Sequence, residues 1–163
     1  MNVLRSFNSS TRHILRQPIV SRNTIRAIMT KTEEEWRAIL SPEQFRVLRE
    51  RGTEIPNTGE YTNTPASDVG IYECVGCGQP LYKASTKFIA HCGWPAFYDA
   101  IPGSIKVYRD DSLGRLREEM RCSNCDGHLG HIFKGEGYST PTDTRHCVNS
   151  VSIKFNPEDS ESK

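Results

Sequence analysis

Four of the six cysteines form two C-x2-C pairs, Cys74-Val75-Gly76-Cys77 and Cys122-Ser123-Asn124-Cys125. Two such pairs offer four thiolates, the ligands that zinc prefers in structural sites with closed tetrahedral coordination. The two pairs are separated by 44 residues. Closing that loop costs roughly 3.3 kcal/mol in chain entropy, whereas a structural zinc contributes roughly 10–16 kcal/mol. The sequence therefore predicts one structural zinc, bound by all four cysteines and outside the chemistry.

Two other uses of the C-x2-C pairs are less consistent with the sequence. A redox pair of the thioredoxin type occurs singly and in a βαβ setting, and the pattern here does not indicate one. A disulfide framework is typical of secreted proteins, and it fits poorly with the mitochondrial or cytosolic location that residues 1–28, described below, predict. Structural zinc remains the favoured interpretation.

The remaining cysteines, Cys92 and Cys147, lie 55 residues apart and outside the pairs. Cys147 follows Arg145 and His146 in "TRHCVNS", and neighbouring cations favour a reactive thiolate by lowering its pKa. Cys92 lies in "HCGWPAF", where glycine and proline predict a bent surface loop. A reactive thiol that forms a sulfenic acid, together with a second thiol that condenses with it to a disulfide, is a redox arrangement that a reductant can reverse. The alternative is that each cysteine is a small buried hydrophobe.

Two histidines, His128 and His131, stand three residues apart in "GHLGHIF", just after the second C-x2-C pair. Four thiolates already complete a zinc shell, so these histidines are not needed as ligands. Histidine can act as an acid near neutral pH, which makes the pair candidates for proton transfer. A structural role for each ring is the alternative.

The elements around these residues are predicted to be short. The segment "KTEEEWRAILSPEQFRVLRERGTE" indicates two helices, with Ser41, Pro42 and Gln44 typical of a cap at the start of the second. A turn-rich stretch follows, and then candidate strands at 70–74, 87–91, 104–109, 116–121 and 147–155. We therefore expect a small antiparallel β domain behind a helical entry.

Residues 1–28 contain five arginines and no acidic residue. Such a leader is typical of a mitochondrial transit peptide, with a disordered basic tail as the alternative. It predicts removal of 1–28, a matrix location for a domain at 29–156, a disordered tail at 157–163, and a cytosolic form if Met29 is a second start. From residue 29 onward 16 basic residues face 20 acidic ones, a net charge of −4 that disfavours nucleic-acid binding. No stretch approaches the roughly 20 apolar residues of a membrane helix.

Five segments together resemble the methionine-R-sulfoxide reductases of the B type, from about residue 34 to 155. They are "ERGTEIPNTGEY", "GIYECVGCGQPLY", "KFIAHCGWPAFYDAI", "EEMRCSNCDGHLGHIFKGEG" and "DTRHCVNSVSIKF". The combination is specific, whereas C-x2-C alone occurs in many folds. Mild departures precede the two catalytic positions: histidine stands before Cys147 in place of the commoner aromatic, and before Cys92 in place of a small residue.

The resemblance implies a mainly β fold of two antiparallel sheets packed like a tent (the Mss4-like architecture), short N-terminal helices and a four-cysteine zinc site. It implies Cys147 as nucleophile and Cys92 as resolving cysteine, with His128 and His131 binding and protonating the sulfoxide oxygen. The implied substrate-binding residues are Trp94, His128, His131, Phe133 and Asn149. The implied partners are methionine sulfoxide, free or in oxidised proteins, and thioredoxin as reductant of the 92–147 disulfide. Repair of oxidative damage by a monomer is the expected role.

A zinc-binding tent-fold module that binds a partner without chemistry is the main alternative. A nucleic-acid-binding zinc ribbon is another, and it predicts a basic domain. Neither has a use for Cys92, Cys147 and the nearby histidines. The extra thiols therefore favour the reductase.

Overall fold

The computed structural model describes residues 31–157, and the chain begins there with two short helices, α1 (Glu33–Ile39) and α2 (Pro42–Leu48). Each opens with a capping box, in which the cap hydroxyl and the side chain three residues later exchange hydrogen bonds with backbone N–H groups. Thr32 and Glu35 form the first box, and Ser41 and Gln44 the second. The predicted leader and nearly all of the predicted tail lie outside the described residues.

Nine strands follow within the described part of the chain, and all their pairings are antiparallel. They are β1 (Ile71–Cys74), β2 (Pro80–Lys83), β3 (Lys87–Phe88), β4 (Ala96–Phe97), β5 (Ile105–Asp110), β6 (Arg117–Cys122), β7 (His128–Lys134), β8 (Thr144–Val148) and β9 (Ile153–Asn156). One sheet has the order β2-β1-β9, and the other has the order β3-β4-β8-β7-β6-β5. The predicted mainly β fold of two antiparallel sheets behind short helices is confirmed.

The predicted strands match β1, β5 and β6 to within about two residues. The other strand predictions differ from the structure in length or are missing. The predicted strand 87–91 shortens to β3, and β2, β4 and β7 were not predicted. The predicted strand 147–155 is interrupted by a 3-10 turn at Ser150–Ser152. Asn149 causes the break, because its side chain bonds to the Glu54 N–H and the Leu129 carbonyl and turns the chain from one sheet to the other.

The hydrophobic core lies between the two sheets. Tyr82 and Phe97 stack with ring centroids 4.3 Å apart, and Tyr72 meets Phe97 edge-on at 5.1 Å. Met120 and Leu129 are fully buried beneath them. This packing holds β4, β6 and β7 against the smaller sheet, which positions the opposite face of the larger sheet for a site.

The helices pack on the two C-x2-C turns. A Cβ added at Gly76 or at Gly127 would lie 3.2 Å from a Leu48 methyl carbon. Arg49 extends from the end of α2 and donates to the Cys125 carbonyl at 3.0 Å. The helical entry therefore covers the cysteine cluster and shields it from water. In residues 31–157 no helix has the length and apolarity that crossing a bilayer requires.

Candidate active site

The four paired cysteines converge at the ends of two strands from different sheets. Cys74 ends β1 and Cys122 ends β6, and their partners follow in the turns. The four sulfurs lie within 4.8 Å of one another, with 3.6 Å between Cys74 and Cys125 and between Cys77 and Cys122. Zinc–sulfur bonds of about 2.3 Å in a tetrahedron place sulfurs about 3.8 Å apart. The donor set and spacing therefore fit a closed metal site that clamps the two sheets together.

The two unpaired cysteines meet on the far side of the larger sheet. Cys147 is the fourth residue of β8, not the first residue of a strand as predicted, and it lies between Ala96 on β4 and His131 on β7. Cys92 lies in the loop between β3 and β4, where φ is +51° at His91 and +92° at Gly93. The two sulfurs are 3.9 Å apart. A disulfide requires about 2.05 Å, so a side-chain rotation and a small loop movement would join them.

A hydrogen bond between the two thiols governs their protonation. It lowers the pKa of Cys92 to about 6, with a smaller contribution from the Arg145 charge. The pKa of Cys147 is raised, because Cys147 donates to Cys92 and is buried, although Arg145 opposes this. The thiolate of the resting pair therefore lies on Cys92. Arg145 lowers the pKa of Cys147 as predicted, but the Cys92 hydrogen bond and burial outweigh it, so the net shift is upward.

His146 contributes nothing to the thiolate, contrary to expectation. Side chains alternate along a strand, so His146 points away from Cys147 and meets the Tyr82 ring edge-on at 5.8 Å. Burial lowers its pKa to about 4, which leaves it uncharged at neutral pH. Arg145 is on the Cys147 face, where Glu136 holds it in a two-point ion pair at 2.7 and 2.8 Å and its guanidinium covers Phe133.

A bulge brings the two histidines to one face. Residues three apart on a regular strand point to opposite faces. The β6–β7 register pairs Met120 with Gly130 and Arg121 with His128, so Leu129 is an extra residue on β7. This bulge rotates the strand, and the rings of His128 and His131 lie 5.4 Å apart.

Each histidine is bound to a carboxylate that the sequence analysis did not single out. Glu119 Oε1 lies 2.7 Å from Nδ1 of His128, and Asp110 Oδ2 lies 2.7 Å from Nε2 of His131. Burial lowers the pKa of His128 to about 4. Burial also lowers the pKa of His131, although the Asp110 hydrogen bond opposes it. Both rings are therefore mainly neutral at pH 7.

A cavity of about 170 Å³ opens over Cys147 and His131. Trp94 and Phe133 supply aromatic side chains to its lining, and polar residues supply the rest of it together with Gly130 and Cys147. The complete lining is Thr53, Trp94, Arg115, Arg117, Gly130, His131, Phe133, Cys147 and Asn149. An apolar wall beside a thiol and an imidazole suits a small group with one apolar and one polar end. Of the predicted substrate-binding residues, only His128 is outside this cavity, in an adjoining recess.

Glu54, in the segment before β1, holds two residues of the cavity lining in place through hydrogen bonds. The Glu54 carbonyl accepts from the Trp94 indole N–H at 3.0 Å, and the Glu54 N–H donates to Asn149 at 2.9 Å. The buried Glu54 carboxylate accepts from the Ser150 N–H at 2.7 Å, and burial raises its pKa. Gly59 lies so close that an added Cβ would be 2.9 Å from this carboxylate. One buried acidic residue thus orients both a pocket aromatic and a pocket amide.

The sequence analysis missed Thr53 and the charged residues around the site. On β6 a signal was available, since alternation in the predicted strand 116–121 places Arg117 and Glu119 on one face. No local sequence pattern marks the remaining residues, because they belong to other segments that only the tertiary fold brings to the site. The missed residues are Arg51, Thr53, Glu54, Asp110, Arg115, Arg117 and Glu119.

Two thiols within reach of each other, a separate four-cysteine cluster that could hold a metal, and two antiparallel sheets are together typical of a small β protein of the thiol oxidoreductase class. Comparison with known proteins identifies the family within this class. The family model described as "SelR domain" matches residues 40–157. An Arabidopsis thaliana protein named peptide methionine sulfoxide reductase B5 is 62% identical over 135 residues, covering 83% of this chain and 94% of that protein.

Other relatives are similarly close. Peptide methionine sulfoxide reductase B3 of Arabidopsis thaliana is 63% identical over 78% of this chain and 70% of its own length. The chloroplastic B2 protein of the same organism is 63% identical over 80% of this chain and 62% of its own length. The chain therefore belongs to the SelR-domain family, whose curated relatives are peptide methionine sulfoxide reductases of the B type, a class of oxidoreductases.

Among solved structures, the Mis18 "Yippee-like" domain aligns with a TM-score of 0.42 and 18% identity, over 54% of this chain and 95% of that one. A similarity this low bears on neither mechanism nor ligand.

Proposed function

We propose that the chain reduces methionine-R-sulfoxide to methionine, with Cys147 as nucleophile and Cys92 as resolving cysteine. The observation that carries the proposal is the 3.9 Å separation of the two sulfurs at the floor of an aromatic-walled cavity that also contains His131. A binding module has no use for two thiols within reach of each other there. The preference for the R epimer is carried over from the family resemblance.

The first step needs a thiolate on Cys147. The two sulfurs are 3.9 Å apart, and transfer of the Cys147 proton to a Cys92 thiolate would prepare the nucleophile. Cys147 sulfur then attacks the sulfoxide sulfur while the oxygen takes up a proton from a histidine. The sulfur–oxygen bond and the newly formed sulfur–sulfur bond then break as the hydroxyl passes to the Cys147 sulfur. Cys147 is left as a sulfenic acid, and methionine leaves reduced by two electrons.

The second step uses the neighbouring thiol. Cys92 attacks the sulfenic acid, water leaves, and the 92–147 disulfide forms. A thioredoxin dithiol reopens this disulfide by exchange and becomes oxidised in turn. The disulfide would lie in a loop bent at His91 and Gly93, in which His91 is exposed and Cys92 is half-buried. Repair of oxidised proteins is the proposed role, and we propose zinc as the metal of the four-cysteine cluster.

The sharpest test compares Cys147→Ser with the wild type on separated R and S sulfoxides. We expect the variant to lose at least about 1,000-fold of the R-sulfoxide activity while keeping one zinc per chain. The S epimer should not be reduced by either protein. Full turnover by the variant, or equal use of both epimers by the wild type, would contradict the proposal.

Cys92→Ser separates the two steps. Because the nucleophile remains, this variant should release about one methionine per enzyme and then stop when thioredoxin is the reductant. Mass spectrometry should find an oxidised Cys147 and no 92–147 bond. Continued turnover with thioredoxin would show that another thiol resolves the sulfenic acid.

We propose a mitochondrial location on the basis of the five arginines and the absence of acids in residues 1–28. Some relatives carry chloroplastic names, so the test must distinguish the two organelles. Residues 1–28 fused to a fluorescent protein should enter mitochondria, and a fusion with the five arginines replaced by glutamine should remain outside. Import into chloroplasts or no import would contradict the proposal.

A further inference from the structure

We propose that Asp110 is the positioning residue for His131. The Asp110 carboxylate accepts a hydrogen bond from Nε2–H of His131, which leaves Nδ1 as the nitrogen that faces the sulfoxide oxygen. This inference rests on the proposed function and concerns how the ring is prepared for it. The two atoms in contact, Nε2 and Oδ2, are 2.7 Å apart, and the two side chains are only 13% and 16% exposed. Neutral imidazole has one N–H, so the partner of one nitrogen decides the role of the other.

Asp110 is itself held as an acceptor. Its Oδ1 accepts from the Ser112 N–H at 3.1 Å, and its Oδ2 accepts from Nη2 of Arg117 at 2.7 Å. Hydrogen bonds from Ser112 and His131 hold the pKa of this carboxyl below its usual range, and the Arg117 charge adds to the effect. Asp110 therefore stays ionised through mildly acidic conditions and cannot donate. Nε2 of His131 must carry the proton in this contact.

Asp110 and Arg117 act on His131 in opposite directions. Burial is the main reason that the pKa of His131 is lowered, Asp110 raises it, and the charges of Arg117 and Arg115 lower it further. The other titratable groups facing the ring are Cys147 across β8, Glu119 across β6, His128, and Arg51 in the adjoining recess. Asp110 is therefore the main group that favours imidazolium in a cavity whose other features suppress it.

This arrangement gives the proton a defined route. In imidazolium both nitrogens carry hydrogen, and the Nε2–H remains with Asp110. The Nδ1 proton passes to the sulfoxide oxygen as the Cys147 thiolate bonds to sulfur, and it ends on the sulfenic acid. The ring returns to the neutral form with Nε2–H, ready to take up a proton from solvent. Without Asp110 the neutral ring could adopt either tautomer, and the acid form would be rarer.

The experiment uses the zinc-loaded wild type, Asp110→Asn, Asp110→Glu, Arg117→Gln and the control Asp111→Asn, which changes an exposed neighbouring acid. Asp110→Asn should lower kcat about 10- to 100-fold with a smaller effect on KM, and it should move the alkaline limb of the pH profile, where the acid form of His131 is lost, to lower pH. Asp110→Glu should restore part of kcat. Asp111→Asn should match the wild type in kcat, KM and pH profile.

Nitrogen-15 NMR of the His131 ring, assigned with His131→Gln, provides a readout that is independent of activity. The wild type should show the Nε2–H tautomer. Asp110→Asn should lower the His131 pKa, and Arg117→Gln should raise it. An unchanged tautomer and pKa in folded Asp110→Asn would overturn the inference. A wild type that shows the expected NMR pattern but reduces no sulfoxide would instead overturn the proposed function.

Discussion

The protonation state and the role of each residue near this site depend on the groups in direct contact with its side chain. His146 shows this most clearly, because it immediately precedes the proposed nucleophile yet belongs to the core. Its Nδ1 atom is buried and has no hydrogen-bond partner within residues 31–157. The ring fills space against Tyr82 and remains neutral, since burial lowers its pKa to about 4.

We therefore predict that His146→Phe stabilises the protein and flattens its pH dependence. The folded-state pKa of about 4 is below the usual value of 6.5, so the unfolded chain binds more protons between those values. Stability contributed by the neutral ring is thus lost as pH falls from about 6.5 to about 4. Phenylalanine keeps the edge contact with Tyr82 and removes both the titration and the unpaired nitrogen.

Urea unfolding of the zinc-loaded proteins at pH 7 and pH 5 measures this effect. The difference in unfolding free energy between His146→Phe and the wild type should grow by roughly 1–2 kcal/mol at the lower pH. Any acid sensitivity of the zinc site is common to both proteins and cancels. A difference that is equal at the two pH values would mean that His146 does not titrate as stated.

At the scale of elements, the close pairing of β7 with β8 decides where the histidines and Cys147 meet. A Cβ added at Gly130 would lie 1.9 Å from the Cys147 carbonyl oxygen, closer than any side chain can approach. Gly130 stands next to the bulge residue Leu129, so the strand bends here without a side chain in the way.

Gly130→Ala should therefore be strongly destabilising, by more than about 3 kcal/mol, because β7 and β8 must separate. Gly135→Ala is the matched control, since it has φ of +74° and nothing within 4 Å of an added Cβ. It should cost only the conformational strain, about 1 kcal/mol. Thermal melting of both variants makes the comparison. Equal melting temperatures would show that the collision is absorbed by local movement.

At the scale of the whole molecule, the cysteine cluster joins the two sheets. It links the end of β1, in the three-stranded sheet, to the end of β6, in the six-stranded sheet, under the cover of the helices. A structural zinc contributes roughly as much free energy as an entire small domain retains on folding.

Cys125→Ser should accordingly lose the metal and lower the melting temperature by at least about 10 °C. Cys92→Ser removes a thiol from the same chain without touching the cluster, and it should keep both the metal and the melting temperature. Metal content by elemental analysis and thermal melting are the measurements. A metal-free Cys125→Ser protein that melts at the wild-type temperature would refute the clamp.

The chemistry of the chain was accessible from local patterns. The C-x2-C spacing predicts two thiolates that can bind the same metal ion, because the two intervening residues form a turn. Two isolated thiols with histidines nearby indicated redox chemistry, and the segments around them indicated the family. The capping box at Ser41 was equally local, since its hydrogen bonds span three residues.

The arrangement of the site depended on contacts that no local pattern encodes. Sequence spacing alone would place His128 and His131 on opposite faces, and a bulge against β6 reverses this. Sequence adjacency would place the His146 side chain beside Cys147, the proposed nucleophile, whereas strand alternation directs it into the core. Asp110 and Glu54 reach the pocket from distant segments. Strand pairing sets the register, the face of the sheet to which each side chain points, and its burial. Because paired strands join residues far apart in the chain, local sequence patterns do not encode these properties.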